Sequence, residues 1–452
     1  MKIITCFKAY DVRGRVPEEL DEDVAYRIGR AYAEFVEPRA VAVGRDIRPS
    51  SAALTDSLTR GLTDSGVDVL DIGVGGTELV YFATFHRKLD GGIMVTASHN
   101  PPNYNGMKLV RAQSRPISAD TGLREIRALA EQGRFKDATA RGTVRSVDVT
   151  SDYVDHVLSY IDREKLKPLR IVCNAGNGGA GPIVDLLGPH LPFEFDKLHH
   201  APDGSFPNGV PNPMIEKNRE VTSERVRNAR ADLGVAWDGD YDRCFFFDEH
   251  GRFIEGYYVV GLLAQTFLAK FPGAKIVHDP RLTWNILDVV AAAGGTAVQS
   301  KSGHAFMKQK MREVDAVYGG EMSAHHYFRE FSYADSGMIP WLLVAEMMSE
   351  TGKSLSALVG ERMRRFPASG EINRRVEDAP GRLMAAEARY KDTAVSIDRT
   401  DGLGMEFPDW RFNLRASNTE PLLRLNVESR GDEALMRVRT AELLELMGGE
   451  PE

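Results

Sequence analysis

The sequence predicts an α/β protein: three consecutive α/β domains with mixed sheets, then a smaller α+β domain at the C-terminal end. Three observations predict it. The 452 residues exceed one ordinary domain, which takes about 100–200. Short apolar runs of strand type alternate with amphipathic stretches, and the alternation recurs three times. Strands separated by helices pair in parallel and build a doubly wound sheet. After about residue 367 the alternation gives way to adjacent strands and one long helix.

In the first unit, residues 21–36 (DEDVAYRIGRAYAEFV) set Val24, Ile28, Tyr32 and Phe35 on one helical face. A strand follows at 40–46, then a helix from about Ser50 to Gly66, then strands at VDVLDIG and GGIMVTAS. The second unit opens with LRIVCNAGNGGAGPIVDLLG at 169–188, a strand, a glycine-rich turn and a helix. DLGVAWDGDYDRCFFFDEHGRF at 232–253 reads strand, polar loop, strand. The third begins with AKIVHDPRLTWNILDVVAAAGG at 274–295, and its later strands end in QSKSGH and VYGGEMSAHH. Each unit offers polar loops where apolar strands stop, the edge of an open α/β sheet at which ligands bind. Last, DWRFNLRASNTEPLLRLNVES is two strands around a loop, and a helix runs from about Glu433 to Met447.

Composition narrows the function. A net charge of −8 argues against nucleic acid or an anionic membrane as the main partner. The longest uncharged apolar stretch, near 257–269, is shorter than the roughly 18 residues a membrane span needs. Cys6, Cys173 and Cys244 are odd in number and far apart, which fits a reducing compartment and no disulfide framework. The opening MKIITCFKAYDVRG shows no apolar secretory segment, so a cytoplasmic location is expected. The basic residues that matter must act locally, on something small and anionic.

Four segments carry chemistry. In GGIMVTASHNPPNYNGMKLV at 91–110 an apolar strand stops at Thr96 and delivers Ser98 into a turn that two prolines keep irregular. A serine before His-Asn-Pro is by itself an ordinary turn former. In DGDYDR, Asp238, Asp240 and Asp242 alternate, so extended backbone can turn all three carboxylates to one side. Crowded carboxylates repel unless a cation sits among them, and hard oxygen donors suit Mg²⁺. An EF-hand loop is the rival, with Glu249 at its twelfth position. It fails at the sixth position, where Arg243 replaces the required glycine, and at Cys244-Phe245-Phe246-Phe247, which reads as a buried strand. A loop of this kind, at a cleft and not in a core, should matter for chemistry more than for folding. RASNTE offers Arg415, Ser417, Asn418 and Thr419 in a tight turn, a way to hold phosphate without a P-loop and equally ordinary turn chemistry. GEMSAHHYF brings Glu321, Ser323 and His325 into a turn, either as partners of sugar hydroxyls or as a helix start. His304 in KSGH has a purely structural reading too. Together the four describe phosphoryl transfer on a sugar.

TASHNP around Ser98, DGDYDR, GEMS and RASNTE, in that order and spacing over essentially the whole chain, closely resemble the motifs of the α-D-phosphohexomutase superfamily. The opening FKAYDVRG is similar to its bacterial phosphomannomutase/phosphoglucomutase branch. The resemblance implies four domains around a central cleft: a phosphoserine domain at 1–145, a metal-binding domain at 146–251, a sugar-binding domain at 252–367 and a phosphate-binding domain at 368–452. It implies that Ser98 is phosphorylated and that Mg²⁺ is held by Asp238, Asp240, Asp242 and the phosphoserine. It gives Arg415, Ser417, Asn418 and Thr419 the substrate's non-transferring phosphate, and Glu321 and Ser323 the sugar hydroxyls. Tyr10, Arg13, Lys108, Arg243, His304 and His325 match cleft positions, some of them acid/base or charge partners. Arg281 stands where relatives often have a lysine; it keeps the charge and changes the hydrogen-bond geometry.

The activity so implied interconverts hexose 1-phosphate and hexose 6-phosphate, of mannose or glucose, through phospho-Ser98 and a hexose 1,6-bisphosphate that also serves as activator. Such an enzyme belongs to carbohydrate metabolism, upstream of nucleotide-sugar synthesis, and is expected as a monomer or weak dimer. Lys108 and His304 are the candidates for the hydroxyl proton. Two alternatives come from other classes: a sugar-phosphate phosphatase that loses the phosphoserine to water, and a catalytically silent sugar-phosphate-binding protein.

Overall fold

A computed structural model describes residues 3–417 and 422–451. The chain divides into two compact units, residues 1–253 with 325–354, and residues 254–324 with 355–452.

The first unit opens with a mixed sheet. Its strands lie in the order Val12–Arg15, Tyr104–Arg111, Gly91–Val95, Ala40–Arg45, Asp68–Val74, Val144–Ser146. Ala40–Arg45 pairs in parallel with both neighbours, as alternation with helices requires. Helix Glu22–Val36 is capped by Asp21, whose carboxylate accepts from the Val24 amide at 2.7 Å. Val24, Ile28 and Tyr32 are buried from its expected face, and Phe35 packs at the margin. The sheet is mixed, as predicted: Gly91–Val95 pairs antiparallel with Tyr104–Arg111 and sets Met94 opposite Lys108. The reason is length. Residues 96–103 contain no helix, and a parallel return needs a crossover of about a dozen residues or more.

A second sheet in this unit centres on Leu233–Trp237, parallel to Arg170–Asn174 and antiparallel to Cys244–Phe247. Every residue of Leu233–Trp237 and Cys244–Phe247 is buried, so Asp238–Arg243 is the reversal between two core strands. All three cysteines are free and buried. From the returning segment, helix Met338–Thr351 packs on this sheet, and Trp237 Nε1 donates to the Gly337 carbonyl at 2.9 Å.

The second unit contains the parallel strands Thr296–Gln299, Lys275–His278 and Tyr318–Gly320 and an antiparallel sheet toward the C-terminus. In that sheet Trp410–Ala416 and Leu422–Ser429 form the long central ladder. Side chains alternate across a strand. Trp410, Phe412 and Leu414 join Leu423, Leu425 and Val427 in an apolar core with residues of helices Ala379–Tyr390 and Glu433–Met447. The opposite face pairs Arg411 with Glu428, Asn413 with Asn426 and Arg415 with Arg424. That polar face is covered. Arg411 donates to the Pro280 and Arg281 carbonyls at 3.0 Å, while Glu428 accepts from Arg411 at 2.8 Å and from the Thr283 amide at 2.7 Å. The loop after strand Lys275–His278 is thus fastened to the C-terminal sheet. No described helix is long and apolar enough to cross a membrane.

Candidate active site

In the first unit the site begins with backbone strain. Ser98 has φ +46°, the left-handed region, which costs a residue with a side chain roughly 1–2 kcal/mol. Its surroundings over-determine it. The Ser98 amide donates to Thr96 Oγ1 at 2.9 Å, and the Ser98 carbonyl accepts from Arg48 Nη2 at 2.9 Å. Arg48 also donates to the carbonyls of Asn100, Pro101 and Tyr104, and it pairs with Asp46, which accepts from the Ala97 amide at 3.2 Å. One buried ion pair therefore buckles the whole turn. From this frame Ser98 Oγ, in a side chain almost fully buried, donates to Asp238 Oδ2 at 2.8 Å and lies 3.0 Å from His99 Nδ1. Burial and the adjacent Arg243 guanidinium lower the His99 imidazole to about 4.

Asp238, Asp240 and Asp242 converge as the alternation predicts, each offering an oxygen within 4.8 Å of the others. They are not at a solvent-washed surface. Their exposures are 0, 0 and 2%, which corrects the expectation of a loop outside the core. The carboxylates can be buried because cations and hydroxyls meet them. Lys108 Nζ donates to Asp240 Oδ2 at 2.8 Å and closely to Asp242, Thr77 Oγ1 donates to Asp240 at 2.5 Å, and Arg243 Nε donates to Asp238 at 2.8 Å. Burial opposes the Lys108 charge, but Asp240 and Asp242 outweigh it and raise its pKa. Burial and Asp240 push the Asp242 carboxyl upward. Gly239 is required by close approach: a Cβ there would sit 2.4 Å from the Ser98 carbonyl oxygen. Asp240 Oδ1 and Asp242 Oδ1 remain buried with no hydrogen-bond partner. Orphaned anionic oxygens beside a third carboxylate and a serine hydroxyl fit a hard divalent cation.

Other sequence-selected residues surround this cluster. Arg13 Nη1 donates to Asn100 Oδ1 at 3.0 Å, and Nη2 to Asp11 at 2.5 Å. His325 forms a β-bridge with Arg243, and its Nε2 lies 3.8 Å from Asp242 Oδ1. Tyr10 occupies the bend before strand Val12–Arg15, half-buried.

The second unit gathers a separate group. Arg281 donates to Asp279 Oδ2 through Nη2 at 2.6 Å, to Ser323 Oγ at 3.2 Å and to Glu371 Oε2 through Nη1 at 3.2 Å, with Glu321 Oε1 3.8 Å away. The Gly303 amide donates to Glu321 Oε1 at 2.6 Å, which ties KSGH to GEMS and sets His304 at the first turn of helix His304–Val314. Arg415 donates to Glu371 Oε2 at 3.0 Å. The Ser417 amide donates to the Leu422 carbonyl at 2.9 Å. Asn418 and Thr419 lie outside the described residues.

Sequence reasoning missed Asp46, Arg48, Thr77, His99 and Glu371. Asp46 and Arg48 carried a signal, as charges at the end of a strand, and so did His99, as the neighbour of Ser98; Thr77 and Glu371 act on partners far away in sequence.

Comparisons with known proteins agree with the chemistry. The four phosphoglucomutase/phosphomannomutase domain families match in order: α/β/α domain I at residues 5–137, domain II at 151–251, domain III at 255–366 and the C-terminal domain at 371–445. A phosphomannomutase of Salmonella montevideo is 59% identical over 99% of this chain and all of its own length. A protein of Xanthomonas campestris pv. campestris described as phosphohexose mutases is 60% identical, again over 99% of this chain and all of its own. A crystal structure of a phosphoglucomutase/phosphomannomutase family protein from Burkholderia thailandensis superposes with a TM-score of 0.88 at 32% identity, covering 100% of this chain and 99% of that one. The chain belongs to the phosphoglucomutase/phosphomannomutase family, and it is a hexose-phosphate mutase.

Proposed function

We propose that the chain interconverts the 1- and 6-phosphates of mannose and of glucose, with Ser98 as the phosphoryl carrier. The observation that carries this reading is Ser98 Oγ, held in a left-handed turn 2.8 Å from Asp238 among three buried aspartates. Phospho-Ser98 gives its phosphoryl group to the free hydroxyl of a hexose monophosphate: the P–Oγ bond breaks as the new P–O bond forms, and the hydroxyl proton leaves. The resulting hexose 1,6-bisphosphate turns over, and its other phosphate returns to Ser98. The same bisphosphate, supplied as activator, phosphorylates a bare Ser98.

Asp238, Asp240, Asp242 and a phosphoserine oxygen would hold Mg²⁺, which when bound supplies the charge that lets a dianionic substrate approach a dianionic phosphoserine. Positioning and charge neutralisation are what this chemistry asks of a protein. Arg48 and Asp46 fix the turn, and Arg243 and Lys108 balance the carboxylates. A doubly paired, charged Lys108 supports a role as charge partner, which leaves His304 and His325 to manage the hydroxyl proton. Arg415 and Ser417, with Asn418 and Thr419, would take the phosphate not being transferred. Arg281 joins them, and Glu321 and Ser323 hold sugar hydroxyls. Tyr10 and Arg13 complete the approach to Ser98.

The test is intact-mass spectrometry after incubation with glucose 1,6-bisphosphate, with peptide mapping and parallel assays of Ser98→Ala. One phosphate on Ser98, and near-complete loss of mutase activity in the alanine variant, are expected. Activity within about tenfold of the parent would overturn the assignment, since ~1.4 kcal/mol is too little for a covalent carrier. Isotope-labelled water entering the released phosphate at the rate of turnover would instead identify a phosphatase.

A further inference from the structure

Glu371 belongs to none of the motifs above, yet three arginines meet on it. Its Oε2 accepts from Arg415 Nη2 at 3.0 Å and from Arg281 Nη1 at 3.2 Å, and its Oε1 lies 3.5 Å from Arg424 Nη1. Its side chain is 7% exposed. The ladder explains why a carboxylate is needed. Arg415 and Arg424 are direct cross-strand partners on the polar face of the C-terminal sheet, and like charges opposite each other in a ladder repel. Strand Ile372–Arg375 pairs with Leu422–Ser429 and sets Asn373 opposite Arg424. The carboxylate of the residue just before that strand therefore reaches the two guanidinium groups. Burial works against its charge, but Arg415, Arg281 and Arg424 hold the Glu371 carboxyl down to about 2. Its link to Arg281 adds a second element, the loop that Arg411 and Glu428 fasten to the same sheet.

We propose that Glu371 is a positioning residue for phosphate recognition: by bridging Arg415 and Arg281 it holds two guanidinium groups converged for the phosphate monoester that is not being transferred. This rests on the role given to Arg415 under the proposed function. Without the bridge, Arg415 turns away from Arg424, and substrate binding must first bring it back. The cost then falls on KM more than on kcat.

The test is steady-state kinetics on glucose 1-phosphate at saturating glucose 1,6-bisphosphate, with Glu371→Gln, Glu371→Asp, Arg415→Ala and the Glu371→Gln/Arg415→Ala double variant. Glu371→Gln keeps shape and loses charge, so KM should rise about tenfold, with kcat falling by less. Glu371→Asp keeps the charge with a shorter reach and should lie between it and the parent; it carries the test if the glutamine variant does not fold. Because Glu371 acts through Arg281 as well as Arg415, the double variant should have a KM above that of Arg415→Ala alone but clearly below the product of the two single effects, a partial non-additivity that marks coupled residues. A raised KM in Arg415→Ala with an unaltered KM in Glu371→Gln, or effects that multiply in full in the double variant, would overturn the inference alone. An unaltered KM in Arg415→Ala would overturn the phosphate role of that loop, and the inference with it.

Discussion

Ser98 shows how neighbours can hold one residue in a strained conformation. Its φ of +46° is a conformation glycine adopts freely, and any other side chain only at a cost. The Arg48–Asp46 pair and the Thr96 hydroxyl keep it there. A glycine at 98 would relieve the strain but would lose the hydroxyl that donates to Asp238. We therefore expect Ser98→Gly to be more stable than Ser98→Ala by roughly 1 kcal/mol in chemical denaturation, both variants being inactive as mutases. Equal stability, or an alanine variant the more stable of the two, would mean that the turn relaxes on substitution and that Ser98 is not held under strain.

At the scale of elements, the hairpin around Asp238–Asp242 is a charged reversal between two core strands, and Lys108 reaches it from strand Tyr104–Arg111. Removing one partner of a buried charge network costs about 3–5 kcal/mol, because the remaining charges stay uncompensated. Lys108→Met, close in length and volume, should lower the melting temperature clearly in EDTA, and saturating Mg²⁺ should restore part of the loss, since a ligand of the folded state stabilises it. A melting temperature unmoved in EDTA would show that Lys108 is not the balancing charge, and the absence of any Mg²⁺ effect would remove the triad as a cation site. The sequence made the hairpin legible, because an apolar strand, DGDYDR and another apolar strand are all local signals. It did not disclose burial, since the compensating groups, Lys108 on a strand and Thr77 at the start of a helix, lie more than a hundred residues away in sequence. The same limit hid Glu371: nothing near SGEINRR marks a residue whose partners are Arg281, Arg415 and Arg424. The antiparallel pairing of Tyr104–Arg111 was readable in principle, from the missing helix after Ser98.

On the scale of the whole molecule, a chain of net charge −8 concentrates cations locally, and under the proposed function these groups meet the anionic sugar. One group lies around Ser98 in the first unit, the other around Glu371 in the second. Under the proposed function the sugar meets Ser98 twice, in opposite orientations, so recognition must rest on features that survive a half-turn. The hydroxyls on carbons 3 and 4 exchange places approximately under that operation and are equatorial in both glucose and mannose. Carbon 2, where the two sugars differ, maps onto no equivalent group. Glu321 and Ser323 are each tied to neighbours, Glu321 through the Gly303 amide and Ser323 through Arg281, and under the proposed function they would take the vicinal 3,4-pair. Mannose 1-phosphate and glucose 1-phosphate should both turn over, with kcat/KM within about 10²-fold, roughly 2.7 kcal/mol of discrimination. N-acetylglucosamine phosphates should be much poorer, because the acetamido group adds bulk at carbon 2. Glu321→Gln should weaken both hexoses alike. Selectivity above about 10³-fold between the two hexoses, or an effect of Glu321→Gln on one of them only, would show that the enzyme reads carbon 2 directly and that the 3,4-edge is not its handle.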